Sequence, residues 1–311
     1  VNKLKKKYLK ASIIIITYNG SEKITRLLNS ICLIEERDFE VIIVNDGSTD
    51  NTVDVIKGLR LNFEFQIISQ ENKGRASAKN YGASIAVSPV LWFIDDDMRV
   101  LPGSLAAHLQ HHKDVPGSVS VGSTIEDEEL LKTDIQKYKC YISNNWKEDI
   151  ESMANPMGVD DLYLSSANVS MPASVFNTLG GFDERLLDAE DLDLSYRAWL
   201  SGIPVYYNHK AEGYHMDLIT CRSYILRNRQ YMQAYNLLRK LKPQYGKIND
   251  RLFIKEPSGY KRMLLSLIAQ PAFVKCVDGF NIFRLMPARI RFRFYELLIY
   301  GLGQVFTSRK I

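Results

Sequence analysis

Two groups of carboxylates stand out in the chain, Asp95-Asp96-Asp97 and Glu190-Asp191. The first closes the run Leu91 to Asp97, LWFIDDD, whose bulky uncharged part reads as a buried parallel strand. The C-terminal end of such a strand is where open α/β sheets bind ligands. Three adjacent anions repel one another, and Mg²⁺ or Mn²⁺ would relieve that repulsion through the oxygen ligands it prefers. A solvated acidic turn is the alternative. The second group lies in Asp188 to Asp193 and opens a helix through Trp199, with Leu192, Tyr196 and Trp199 on one stripe. Its acids could do chemistry, or could only complement the positive end of the helix dipole.

The elements around these acids alternate. Ala11 to Thr17 (ASIIIIT), Phe39 to Val44 (FEVIIV), Phe65 to Ile68 and the run ending at Ile94 have strand character. Between them, Ile24, Leu27, Leu28 and Ile31 recur at helical spacing, Asn45 to Asp50 forms a turn with capping residues, and small residues fill a helix over Gly74 to Val87. This order predicts βαβ units and a mostly parallel sheet, and right-handed crossovers put the turns on one edge. Thr17, Tyr18, Asp46 and Asp95 to Asp97 then line one crevice. Asp46 can accept a hydrogen from a base, Tyr18 can pack on that base, and the Asp95 to Asp97 group can hold a metal on a diphosphate. The chain has neither GxGxxG nor GxxxxGK[ST], so a dinucleotide enzyme and a P-loop NTPase are unsupported.

The remaining stretches carry less. The 311 residues bear a formal net charge of +4, with Lys and Arg crowded over Lys3 to Lys10 and after Tyr214. Cys32, Cys140, Cys221 and Cys276 stand apart with no CxxC, which fits free thiols in a reducing compartment. No apolar run approaches the roughly 18 to 20 residues of a membrane span, and the start does not resemble a signal peptide. A cytoplasmic protein is expected, with peripheral contact at the inner face of the cell membrane left open. His108, His111 and His112 are expected on a solvated helix face rather than around a metal. Thr124 to Gly158 is polar and unassigned, as a substrate loop would be. From Asp217 onward, basic and aromatic residues interleave over Asp217 to Leu241, Tyr260 to Ala269 and Ala288 to Phe306. That pattern suits helices lying in a membrane interface, or helices packed on the main domain.

The motifs SIIIITYNG, VIIVNDGSTDNT, ENKGRASAKNYG, LWFIDDD, GGFDE and AEDLDLSYRAWLSG occur in the order found in family-2 glycosyltransferases, and the chain resembles that family from Ser12 to about His215. The resemblance implies a GT-A (Rossmann-like) α/β fold, a mostly parallel sheet flanked by helices, with a basic amphipathic helical C-terminal extension. It implies a catalytic domain over 11–216, while composition gives a basic tail over residues 1–10 and a helical region over 217–311. Within the catalytic domain, about 11–100 would bind nucleotide and about 101–216 the acceptor. The implied activity is metal-dependent, inverting transfer from a nucleotide-diphosphate sugar, with UDP favoured through Asp46, to a hydroxyl of a saccharide or lipid-linked saccharide. The setting would be surface polysaccharide or glycoconjugate synthesis.

By the same resemblance Asp95 and Asp97 occupy the ends of the DxD signature, with Asp97 meeting Mn²⁺ or Mg²⁺ and His215 supplying a further ligand. Met98 stands where many relatives carry another Asp. Asp191 would be the general base and Glu190 would orient the acceptor. Arg75 and Lys79 would pair with the diphosphate or with Asp95. Ser166, Ala167 and Asn168 would shape the donor-sugar pocket. Asp96 is expected to bind on the nucleotide side and to tolerate replacement best. A nucleotidyltransferase on a similar sheet, or a non-catalytic membrane-associated protein that binds nucleotide sugars, are the competing readings. Nucleic-acid binding is not expected, because the basic residues interleave with aliphatic ones.

Overall fold

The computed structural model describes residues 9–186, 188–248, 257–280 and 282–311. The expected basic tail falls largely on residues 1–8, outside the described residues. Two compact units share the chain, one comprising residues up to Glu126 together with Lys147–Met216, the other Asp127–Trp146 with Asp217–Ile311. One division falls after Met216, and Asp127–Trp146 is grouped with the C-terminal residues.

The first unit begins β1 (Ala11–Thr17), α1 (Ile24–Ile31), β2 (Phe39–Asp46), α2 (Thr52–Gly58), β3 (Phe65–Gln70), α3 (Arg75–Ile85) and β4 (Val90–Asp95). It continues β5 (Met98–Val100), α4 (Ser104–Asp114) and β6 (Val119–Glu126). It resumes after the start of α5 (Asp134–Ser152) with β7 (Asn168–Pro172), α6 (Ala173–Leu179), α7 (Glu190–Leu200) and β8 (Val205–His215). All eight strands form one sheet in the order β3-β2-β1-β4-β7-β6-β8-β5. Pairing is parallel through β3, β2, β1 and β4, as the βαβ pattern requires. Beyond β4 the sheet is mixed, because β7 runs antiparallel to both β4 and β6 and β5 antiparallel to β8, while β6 and β8 pair in parallel.

Every residue of β1 is buried, as a strand covered on both faces must be. Ile13 and Ile15 enter one core with Leu27, Leu28, Trp92 and Ile94, while Ile14 enters the other with Leu91, Phe93 and Phe176. The helix α3 carries Ala76, Ala78 and Gly82 toward the sheet. A Cβ on Gly82 would lie 2.5 Å from Ile14 Cγ2, so only a glycine permits this approach. Gly82→Ala is therefore expected to cost about 1–3 kcal/mol in urea unfolding; an unchanged midpoint would mean that α3 can shift without loss.

The histidines of α4 correct the expectation of a solvated face. His108 is fully buried, with Nε2 3.0 Å from Asn168 Oδ1, and His112 Nε2 lies 2.7 Å from Ser170 Oγ. Burial pulls their pKa values down to about 4 and about 3, so both are neutral hydrogen-bonding groups between helix and sheet. The unassigned polar stretch from Thr124 completes β6 and then forms α5, whose helical pattern is hidden by its many polar residues.

In the second unit α8 (Cys221–Leu241), α9 (Tyr245–Ile248), α10 (Gly259–Ile268), α11 (Pro271–Lys275) and α12 (Ala288–Tyr300) follow one another. The N-terminus of α8 is held by a capping box between Thr220 and Ser223 and by Asp278, whose carboxylate accepts from Cys221 N at 2.7 Å and Arg222 N at 3.0 Å. Ile135, Tyr138, Ile225, Tyr295, Leu298 and Leu302 form its core, and Tyr295 donates to Asp134 at 2.8 Å. The second half of α12 thus spends Tyr295, Leu298 and Ile299 on packing.

Candidate active site

Three strand ends meet through their own turns. Asn19 adopts a left-handed conformation (φ 49°), which aims its Oδ1 at the backbone N–H of Thr49, 2.8 Å away, while Gly20 N donates to Thr52 Oγ1 at 2.9 Å. Thr17 donates to Asp96 at 2.6 Å, tying the end of β1 to the end of β4. A Cβ on Gly20 would fall 2.3 Å from Asp96 Oδ2, so a side chain here would displace the Thr17–Asp96 hydrogen bond.

Around these ends lies a cleft lined by Thr17, Tyr18, Lys23, Asp46, Asn72, Gly74, Arg75 and Asp95 to Asp97. Tyr18 is half exposed on its wall. Asp46 is buried, with Oδ1 accepting from Gln70 Nε2 at 2.8 Å and Lys73 N at 2.9 Å, and Oδ2 accepting from Gly74 N at 3.0 Å. It therefore shapes the loop before α3 as well as facing the cleft. Arg75 is half exposed and pairs with Asp188 at 3.4 Å.

Asp97 Oδ1 stands 3.4 Å from His215 Nε2, and its Oδ2 3.5 Å from Lys23 Nζ. The pairing of Met98 with His215 across β5 and β8 sets this approach, and Met216 N donates to Asp97 O at 2.9 Å. Among the described residues no three His, Cys, Asp or Glu side chains converge to hold an ion unaided. Asp97 and His215 nevertheless offer the oxygen and nitrogen donors that Mn²⁺ or Mg²⁺ accepts when a diphosphate and water complete its shell. Asp96 departs from expectation. Burial, opposed by the Thr17 hydrogen bond, pushes its pKa up to about 6, and its contacts with Thr17 and the Gly20 turn make it part of the packing rather than the most replaceable acid.

Lys79 meets one of its two expected partners, Asp95, and not the diphosphate. It is 1% exposed, too enclosed to meet a diphosphate. Its ammonium donates to Ser166 Oγ, lies 3.3 Å from Glu190 Oε1 and 3.8 Å from Asp95 Oδ1, and sits 5.4 Å above the Phe182 ring. One buried cation thus joins the two acidic groups, which are far apart in sequence. Glu190 is buried as the first residue of α7, and Asp191 follows with Oδ1 accepting from Leu192 N at 2.7 Å. Burial and then the neighbouring Glu190 carboxylate push the Asp191 pKa up to about 7, against the pull of Lys79.

Of the three residues expected to shape a sugar pocket, Ser166 is a partner of Lys79, and Ala167 accepts from Asp95 N at 3.4 Å through its carbonyl. Asn168 is a structural residue instead. It is fully buried, its amide donates to Ala211 O at 2.8 Å and Ser123 O at 3.3 Å, and its oxygen accepts from Trp92 Nε1 at 2.9 Å. Its polar groups are consumed by the sheet and by His108. Sequence reasoning missed Lys23, Asn72 and Gly74 as lining residues. A lysine opening α1, against the helix dipole, was the one available signal.

Residues 12–162 match the family described as Glycosyl transferase family 2. Over 235 residues the chain is 28% identical to a validoxylamine A glucosyltransferase of Streptomyces hygroscopicus subsp. limoneus, covering 65% of this chain and 50% of that protein. It is 25% identical over 203 residues to a poly-beta-1,6-N-acetyl-D-glucosamine synthase of Staphylococcus epidermidis, covering 64% and 48% respectively. The chain therefore spans about half the length of these curated relatives. Among solved structures, a mannosyltransferase from Pyrobaculum calidifontis in complex with GDP-Man and Mn²⁺ aligns at TM-score 0.59 and 17% identity, over 97% of this chain and 88% of that one. TarS 1-349 of S. aureus in complex with UDP aligns at TM-score 0.53 and 17% identity, over 97% and 92%. These structural likenesses show the GT-A fold.

Proposed function

The chain carries a glycosyl transferase family 2 domain at residues 12–162, and from that premise we propose that it moves a sugar, with inversion, from a nucleoside-diphosphate sugar to a hydroxyl of a saccharide or lipid-linked saccharide. One observation carries the reading: the Lys79 ammonium lies 3.8 Å from Asp95 and 3.3 Å from Glu190, so the strand-end cleft and the acids of α7 serve one centre.

In this reading Asp46 and Tyr18 hold the base, uracil by preference, and Arg75 faces the diphosphate. Asp97 and His215 would hold Mn²⁺ or Mg²⁺, which supplies positive charge against the departing diphosphate. Asp191 takes the proton of the acceptor hydroxyl from the side opposite the leaving group, and a carboxylate with a pKa near neutrality suits that task. Glu190, neutralised by Lys79, fixes the start of α7 and thereby the direction of Asp191. A synthesis of surface polysaccharide or glycoconjugate is supported by relatives named as a poly-beta-1,6-N-acetyl-D-glucosamine synthase and a teichoic acid poly(glycerol phosphate) polymerase.

A panel of nucleotide sugars tests the donor class. A UDP-sugar with Mn²⁺ is expected to raise Tm, in proportion to about 2.7 kcal/mol of stabilisation at a hundredfold excess over Kd. Asp97→Asn should remove the cation-dependent part of that shift. Equal shifts with and without chelator would defeat the metal assignment, and no shift with any nucleotide sugar would defeat the donor class.

A further inference from the structure

The second unit carries an apolar face that its own core does not use. In α10, Tyr260, Met263, Leu264 and Leu267 are 67%, 62%, 50% and 64% exposed. Their spacing, i, i+3, i+4 and i+7, puts all four on one side of the helix. The opposite side is docked: Leu265 and Ala269 are buried, and a Cβ on Gly301 would lie 2.5 Å from Ala269 Cβ and 3.3 Å from Leu265 Cδ1. The bare stripe therefore belongs to a helix already seated on its core, not to a detached one.

A second exposed stretch mixes apolar and basic residues. Arg284, Leu285, Met286, Arg289 and Ile290 are all exposed, with Leu285 at 94%. Between residues 257 and 311 the chain holds nine Lys and Arg and two acids, Asp278 and Glu296. Both acids are engaged, Asp278 at the N-terminus of α8 and Glu296 with Arg293 at 2.6 Å. An exposed aliphatic face within a strongly cationic segment is what an anionic bilayer surface receives, since aliphatic side chains enter the acyl boundary while Lys and Arg meet the headgroups.

Other occupants fit less well. A second copy would set one cationic segment against another, which like-charge repulsion opposes. Nucleic acid would match the charge but leave Met263, Leu264 and Leu267 without partners. Crossing the bilayer is also disfavoured. Among the described residues no single helix is long and apolar enough, and Gly259–Ile268 with Pro271–Phe280 passes only as a pair bent by 41°. That pair buries Leu265, Val274 and Val277 in the protein core.

We propose that α10 is an interfacial anchor, placing Tyr260, Met263, Leu264 and Leu267 in the outer layer of an anionic membrane, with exposed basic residues such as Arg284 and Arg289 on its headgroups. The anchor rests on the second unit alone and stands or falls independently of the transferase reading.

Flotation of the whole chain with phosphatidylcholine vesicles, with and without phosphatidylglycerol, tests it. Partitioning is expected to rise roughly tenfold with the anionic lipid and to weaken as salt is added. Leu264→Glu with Leu267→Glu should lower it by a further order of magnitude while leaving circular dichroism and Tm unchanged. Arg284→Gln with Arg289→Gln should abolish most of the preference for anionic over neutral vesicles. Absence of binding to either vesicle overturns the proposal. So does self-association in sedimentation that the leucine variant abolishes, which would assign the face to a second copy.

Discussion

Asp191→Asn is expected to lower sugar transfer by about 10²- to 10⁴-fold while leaving nucleotide-sugar binding intact, because a carboxamide keeps the shape of the side chain but cannot take the acceptor's proton. Steady-state transfer alongside binding measured by calorimetry would check it, and full turnover in the variant would end the assignment. The pH dependence gives a second, independent signature. Burial and Glu190 raise the Asp191 pKa to about 7, so the reactive carboxylate form is lost as pH falls through that value. The logarithm of kcat/KM should therefore decline toward acid with its midpoint near neutrality, and that limb should be absent from the residual activity of the variant. Stability should move the other way. A carboxyl whose pKa is raised in the folded state stabilises the fold while protonated, and that contribution is lost as pH rises through the raised value. Above neutrality Asp191→Asn should then match or exceed the parent Tm, a result that separates lost chemistry from lost folding.

Lys79→Met is expected to destabilise the protein by about 3–5 kcal/mol, the usual consequence of leaving a buried partner's charge uncompensated. The variant would strand Glu190, whose Oε1 lies 3.3 Å from the ammonium, and would also remove the donor to Ser166 Oγ. Urea unfolding measures the loss, and adding Glu190→Gln should recover part of it, since the double variant removes both charges. Because Lys79 pulls the Asp191 pKa down, its removal should shift the acid limb of residual activity to higher pH. Unchanged stability together with an unmoved pH profile would mean that the bridge has no energetic role.

Much of the strand-end cleft was legible in the residues. Uncharged runs such as ASIIIIT and LWFI mark strands buried on both faces, and the rule that ligands bind at the carboxyl ends of parallel strands places Thr17, Tyr18, Asp46 and Asp95 to Asp97 on one cleft. What failed was the environment of polar side chains within elements. Asn168 is expected to shape a sugar pocket, yet as the first residue of β7 it is enclosed by Trp92, His108 and Ala211. The histidines of α4 look solvated in sequence, but the sheet supplies Ser120, Asn168 and Ser170 as their partners.

By itself, then, the sequence determined the first four strands and the turns that close them, and so which acids stand at those strand ends, because burial on two faces and turn chemistry are local properties of a segment. Tertiary structure alone decided what those acids face. Gly82 and the alanines of α3 let that helix lie close against β1 and β2, in a layer where Lys79 is closed off from solvent. There the lysine reaches Asp95 on one side and Glu190 on the other, and the Asp191 pKa is raised by burial and Glu190 and lowered by Lys79. Such a contact joins residues about a hundred positions apart, and no periodicity within either segment encodes it.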